Sequence, residues 1–76
     1  MELDSFIDNF AAQFDDTDRS EFTADTKFRE LEEWSSLVML SVIAMIDEEY
    51  DITIRGALLQ KNDTIGQLFE AVKALK

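Results

Sequence analysis

Three hydrophobic patterns organise this chain. Leu3, Phe6, Ile7, Phe10 and Phe14 recur at three- and four-residue steps with Asp4, Asp8 and Gln13 between them. That spacing predicts a first amphipathic helix from about residue 2 to residue 15. Asp15-Asp16-Thr17-Asp18 ends it, because acids oppose the negative end of the helix dipole and Asp and Thr favour turns. The second pattern is a run from Leu37 to Ile46 in which only Ser41 is polar. It is too long for a strand and predicts a helix running on into Asp47-Glu48-Glu49-Tyr50. Ser35 and Ser36 stand just before it, where a hydroxyl can accept a hydrogen bond from a free first-turn N–H. In the third, Ile65, Leu68, Phe69, Val72 and Leu75 repeat at helical spacing behind Thr64-x-x-Gln67, which reads as a capping box. Lys73 and Lys76 suit the C-terminal end of that helix.

The segments between these patterns are not plain linkers. Phe22, Phe28, Leu31 and Trp34 make the connection up to Ser35 too apolar to float free, and predict a loop pinned as a lid over one end of a bundle. Asp51-Ile52-Thr53-Ile54 is β-branched and interrupts helix, Arg55 to Gln60 allows a short third helix, and Lys61-Asn62-Asp63 breaks it. With no proline and no strand pattern, the expectation is one all-α domain over 1–76. It is a four-helix bundle with a long loop between the first and second helices.

The central helix poses a problem. At about 100° per residue, Met39, Ile43, Ile46 and Tyr50 form the expected core stripe with Val42 at its edge, and Ser41 and Glu48 lie opposite. Leu37, Val38, Ala44 and Met45 then fall on the outer half. A helix apolar nearly all round demands burial, yet 76 residues cannot surround one completely. Its outer face is expected to meet a partner.

Charge narrows the partner. Seventeen acidic residues against seven basic ones leave a net charge of −10. Nucleic acid and anionic membrane surfaces are therefore excluded as partners, and basic protein surfaces favoured. There is no cysteine and no histidine, so disulfides, thiolate metal sites and imidazole catalysis are unavailable, and the chain is not expected to be an enzyme. Asp16-x-Asp18-x-Ser20 begins like a calcium loop, but Glu21 stands where a glycine is required and Lys27 where a bidentate glutamate is required. No metal is expected. The first residues are acidic and amphipathic, so no signal peptide is expected, and no run approaches the length of a membrane span; the expected location is cytoplasmic and the expected state a monomer.

Ser36 is the residue that can carry chemistry, as an acceptor of modification. With Ser35 as the cap, Ser36 opens the central helix, where a phosphodiester on its oxygen would lie beside free N–H groups at the positive end of the dipole. Taken alone, a serine at a helix start is far more often a cap than an acceptor of modification.

At these residues the sequence resembles the acyl carrier proteins, over Thr23 to Val72. Asp25-Thr26-Lys27-Phe28-x-x-Leu31 resembles the family's segment ahead of its modified serine. Ser36-Leu37, with the apolar helix ending Asp47-Glu48-Glu49-Tyr50-Asp51-Ile52, resembles the Asp-Ser-Leu motif and its helix, and Thr64-Ile65-Gly66 resembles the start of the last helix. The resemblance implies a 4'-phosphopantetheine arm, transferred from coenzyme A to Ser36 by a carrier-protein synthase (phosphopantetheinyl transferase). Acyl groups would be carried on it as thioesters among the second, third and fourth helices, for acyl-transfer and chain-elongating enzymes of fatty-acid, polyketide or related lipid biosynthesis. Ser35 replaces the family's aspartate, and Glu32-Glu33-Trp34 replaces a Gly-x segment with one residue added, which resembles a discrete variant carrier with Trp-Ser-Ser-Leu at the motif. Val38, Ser41 and Ala44 stand where the family shows acids. Docking is therefore expected on Leu37, Val38, Ser41 and Met45, rimmed by Glu30, Glu32, Glu33, Asp47 and Glu48, against basic patches. The competing reading is an unmodified acidic adaptor with the carrier fold that binds basic proteins, the loss of aspartate at position 35 marking loss of modification.

Overall fold

The computed structural model describes residues 2–75, in which the order is α1 (Leu3–Ala11), two 3₁₀ turns (Arg19–Glu21 and Phe28–Glu30), α2 (Ser36–Tyr50), α3 (Gly56–Lys61) and α4 (Ile65–Ala74). This is the four-helix arrangement expected, and no strand occurs among the described residues. Lys76 lies outside them.

α1 stops earlier than its periodicity predicts. Its last turn tightens, with the amides of Gln13 and Phe14 donating to the carbonyls of Phe10 and Ala11 at 3.1 and 3.0 Å. Phe14 nevertheless stays buried, so the hydrophobic spacing outlasts the helix that it marks. α2 ends on Asp51, whose backbone is left-handed (φ 56°, ψ 40°) and whose amide donates to the Asp47 carbonyl. The chain then runs without regular structure, with Ile52 and Ile54 both buried, and the side-chain amide of Asn62 closes α3 onto the Leu58 carbonyl at 2.8 Å.

Phe6, Phe10, Phe28, Val42, Ile46, Leu59, Ile65, Leu68 and Val72 form the centre of the core. All eight aromatic residues join in one chain of ring contacts. Phe6 reaches Tyr50 and Phe69, Phe10 reaches Phe14, Phe22 and Phe28, and Trp34 closes on Phe14 and Phe28. Aromatic pairs at such spacings add to what burial alone contributes. Phe22 and Phe28, expected in a lid, are thus part of the core itself.

The loop is also sewn to the start of α4. The amides of Ile65 and Gly66 donate to the carbonyls of Thr26 and Ala24, at 3.1 and 2.9 Å, satisfying first-turn donors that the helix cannot. The Thr64 hydroxyl accepts from the Gln67 amide as a capping box requires, but the Gln67 side chain reaches back to the Asp63 amide, one residue earlier than in the standard box. Leu75, placed on the apolar face by spacing, is 57% exposed, because α4 ends at Ala74.

Candidate functional site

α2 starts where it does because Ser35 is extended and its hydroxyl accepts from the Val38 amide at 3.2 Å, while its carbonyl accepts from Met39 at 2.9 Å. Ser36 is therefore the first helical residue, and its side chain is exposed. The site fits a phosphodiester: the oxygen is reachable, and the amides of Ser36 and Leu37, too early in the helix for an intrahelical partner, stand beside it at the positive end of the dipole. Ser35 is occupied as the cap, which leaves Ser36 as the neighbour with an uncommitted role.

The face of α2 is turned by roughly a quarter of a revolution from the predicted one. Val42, Met45 and Ile46 are buried, Val38, Met39, Ile43 and Tyr50 are partly buried against the core, and Leu37 and Leu40 are 74% and 58% exposed. Met45, at 4% exposure, is a core residue and cannot be a docking residue on the outer face. Val38 and Ser41 are half-buried flanks of that face. With nearly every position apolar, periodicity had no polar stripe from which to orient the helix. The exposed face runs Ser36, Leu37, Leu40, Ala44, Asp47 and Glu48, so Leu40 is the outer residue that sequence reasoning missed.

Among the expected rim acids, Glu30, Glu32, Asp47 and Glu48 are exposed. Glu33 is not a plain rim charge. Its carboxylate accepts from the Asp15 amide (2.7 Å), the Asp16 amide (3.0 Å) and the Thr17 hydroxyl (2.6 Å). The Thr17 hydrogen bond first, joined by the backbone amides, holds its carboxyl below the usual glutamate range against the opposing desolvation. Among the described residues no cluster of carboxylates has the geometry of a metal site, and no helix is long and apolar enough to cross a membrane.

Comparison with protein families matches residues 5–72 to the family described as the phosphopantetheine attachment site. The match spans most of the chain, and the chain belongs to that family of phosphopantetheine-bearing carrier domains. Members hold 4'-phosphopantetheine covalently, act as carriers rather than catalysts, and interact with a phosphopantetheinyl transferase and partner enzymes. No curated protein and no solved structure gives a match.

Proposed function

We propose that Ser36 is the attachment residue and that the protein is a cytoplasmic acyl carrier serving fatty-acid, polyketide or related biosynthesis. The observation that carries this reading is the exposed Ser36 hydroxyl at the first position of α2, with the adjacent Ser35 spent as the cap. The arm, when attached, supplies a thiol at its end that holds cargo as a thioester. Ser36 Oγ supplies the ester oxygen, and the first-turn amides of α2 favour the negative charge beside it. Met39 and Ile43 follow Ser36 at helical spacing and are half-buried, as is Leu58 on α3, so an apolar strip runs from the attachment point along the side of α2. That strip supports shielding of an acyl chain.

Partner enzymes then meet Leu37 and Leu40, with Asp47, Glu48, Glu32 and Glu30 around them. An apolar centre with an acidic rim fits an enzyme surface with an apolar depression bordered by Lys and Arg. Incubation with coenzyme A and a phosphopantetheinyl transferase, followed by intact-mass measurement, tests the assignment. A gain of one arm in wild type and in Ser35→Ala, and none in Ser36→Ala, is expected. No gain with several transferases would instead favour the unmodified adaptor.

A further inference from the structure

Two neighbouring residues tie the chain just ahead of Ser36 to the residues that follow α1. Glu33 gives its carboxylate to three donors in three consecutive residues, Asp15, Asp16 and Thr17. Beside it, the Trp34 ring stacks on Phe14 at 6.3 Å between centroids and meets Phe28 edge-on at 5.2 Å, while its amide donates to the Leu31 carbonyl at 3.0 Å. Phe14 and Phe28 are buried, so this ring is anchored to the core. The polar attachment at Glu33 and the aromatic one at Trp34 therefore act on adjacent links of the chain, with Ser35 and Ser36 next in line.

The first turn of α2 has few restraints of its own. Ser36 and Leu37 are exposed, Val38 and Met39 are only partly buried, and the first fully buried side chain of the helix is Val42, more than a turn further on. Beyond the Ser35 cap and this partial packing, the restraint on the direction of Ser36 Oγ comes from the chain leading into it. We propose that Glu33 is a positioning residue for the modification of Ser36, its carboxylate clamping the lead-in segment to the 15–17 turn so that the hydroxyl leaves α2 in a fixed direction. The inference rests on Ser36 being the attachment residue.

In the transfer, Ser36 Oγ forms a bond to the phosphorus of coenzyme A that carries the pantetheine. The bond from that phosphorus to the nucleotide's phosphate oxygen breaks, and the nucleotide leaves with the electron pair. The hydroxyl proton passes to a base of the transferase. No oxidation occurs, and the reaction is sensitive to where Oγ points, since displacing a reacting atom by about 1 Å can cost on the order of a hundredfold in rate.

Steady-state kinetics of a phosphopantetheinyl transferase acting on wild type, Glu33→Gln, Glu32→Gln and Val72→Ala test the proposal. A residue that positions the nucleophile acts on kcat, whereas a docking charge acts on KM. Glu33→Gln is expected to lower kcat about tenfold with KM changed by less than about twofold. Glu32→Gln, which removes the same charge from the docking rim one residue away, is expected to raise KM and leave kcat unchanged. Val72→Ala removes buried volume from α4 and controls for stability, and is expected to retain wild-type kcat at a melting loss at least as large. A rise in KM alone for Glu33→Gln, no change in either constant, or an equal fall in kcat for Val72→Ala overturns the positioning role. Wild type that gains no arm, or still gains one as Ser36→Ala, overturns the attachment assignment and the positioning role with it.

Discussion

The amide of Gly66 donates to the carbonyl oxygen of Ala24 at 2.9 Å, and a Cβ placed on Gly66 would sit 3.0 Å from that same oxygen and 3.3 Å from the Ala24 Cβ. The loop and α4 meet here backbone to backbone. Gly66→Ala is expected to destabilise by about 1–2 kcal/mol, the crowding outweighing the helix propensity gained. Gly56 offers the contrast, since its nearest neighbour is the end of the flexible Met39 side chain at 3.3 Å. Gly56→Ala is expected to be neutral or to stabilise by up to about 1 kcal/mol. Denaturant melts of the two variants check the pair, and equal losses would mean that the loop is free to give way.

One substitution at three positions reads the orientation of α2. Met45→Gln buries an amide among apolar neighbours and is expected to cost about 2–4 kcal/mol. Leu37→Gln and Leu40→Gln, at exposed sites and with little change of helix propensity, are expected to stay within about 0.5 kcal/mol of wild type while weakening partner binding. Thermal melts with Met45→Gln as stable as Leu40→Gln would put the wrong side of the helix in the core.

The left-handed Asp51 lets α2 stop and the chain turn back with Ile52 inward. Asp tolerates this conformation better than most residues, glycine better still, and β-branched residues poorly. Asp51→Gly is expected to be neutral or slightly stabilising, and Asp51→Val to lose about 1–2 kcal/mol. Melting temperatures in the reverse order would contradict that geometry.

Acid should loosen the clamp ahead of Ser36. The folded-state pKa of Glu33 is depressed, so its contribution to stability is fully present above the unfolded value of about 4.3 and is lost as pH falls through the lower folded value. Asp18 adds in the same direction, because the Ser20 amide and then the Ser20 hydroxyl hold its carboxyl low. The melting temperature of Glu33→Gln is expected to lie below that of wild type at pH 7, with the gap closing below about pH 4.3. A gap independent of pH would count against a charged, hydrogen-bonded Glu33.

The aromatic core illustrates how far local pattern reaches. The positions of Phe6, Phe10, Leu68, Phe69 and Val72 were legible because polar residues alternate with them at helical period, and period is a property of neighbouring residues alone. Phe22 sits between polar residues with no period at all, and its place against Phe10 and Phe14 depends on a fold-back that spacing does not encode. Glu33 was legible as an acid near the site, but its three donors lie 16 to 18 residues away in sequence.

By itself, then, the amino-acid order determined the four helices, the caps at Ser35 and Thr64, the acidic balance and a serine at the start of the central helix, the residue proposed to bear the arm. Each of these depends on residue type and on interactions within a turn or two. Only the tertiary structure decided which side of α2 faces water, that Met45 belongs to the interior while Leu40 does not, and that Glu33 grips the 15–17 turn. A helix apolar on nearly every side is oriented by the shapes packed against it, and the Glu33 carboxylate meets its donors only when two segments distant in sequence come together.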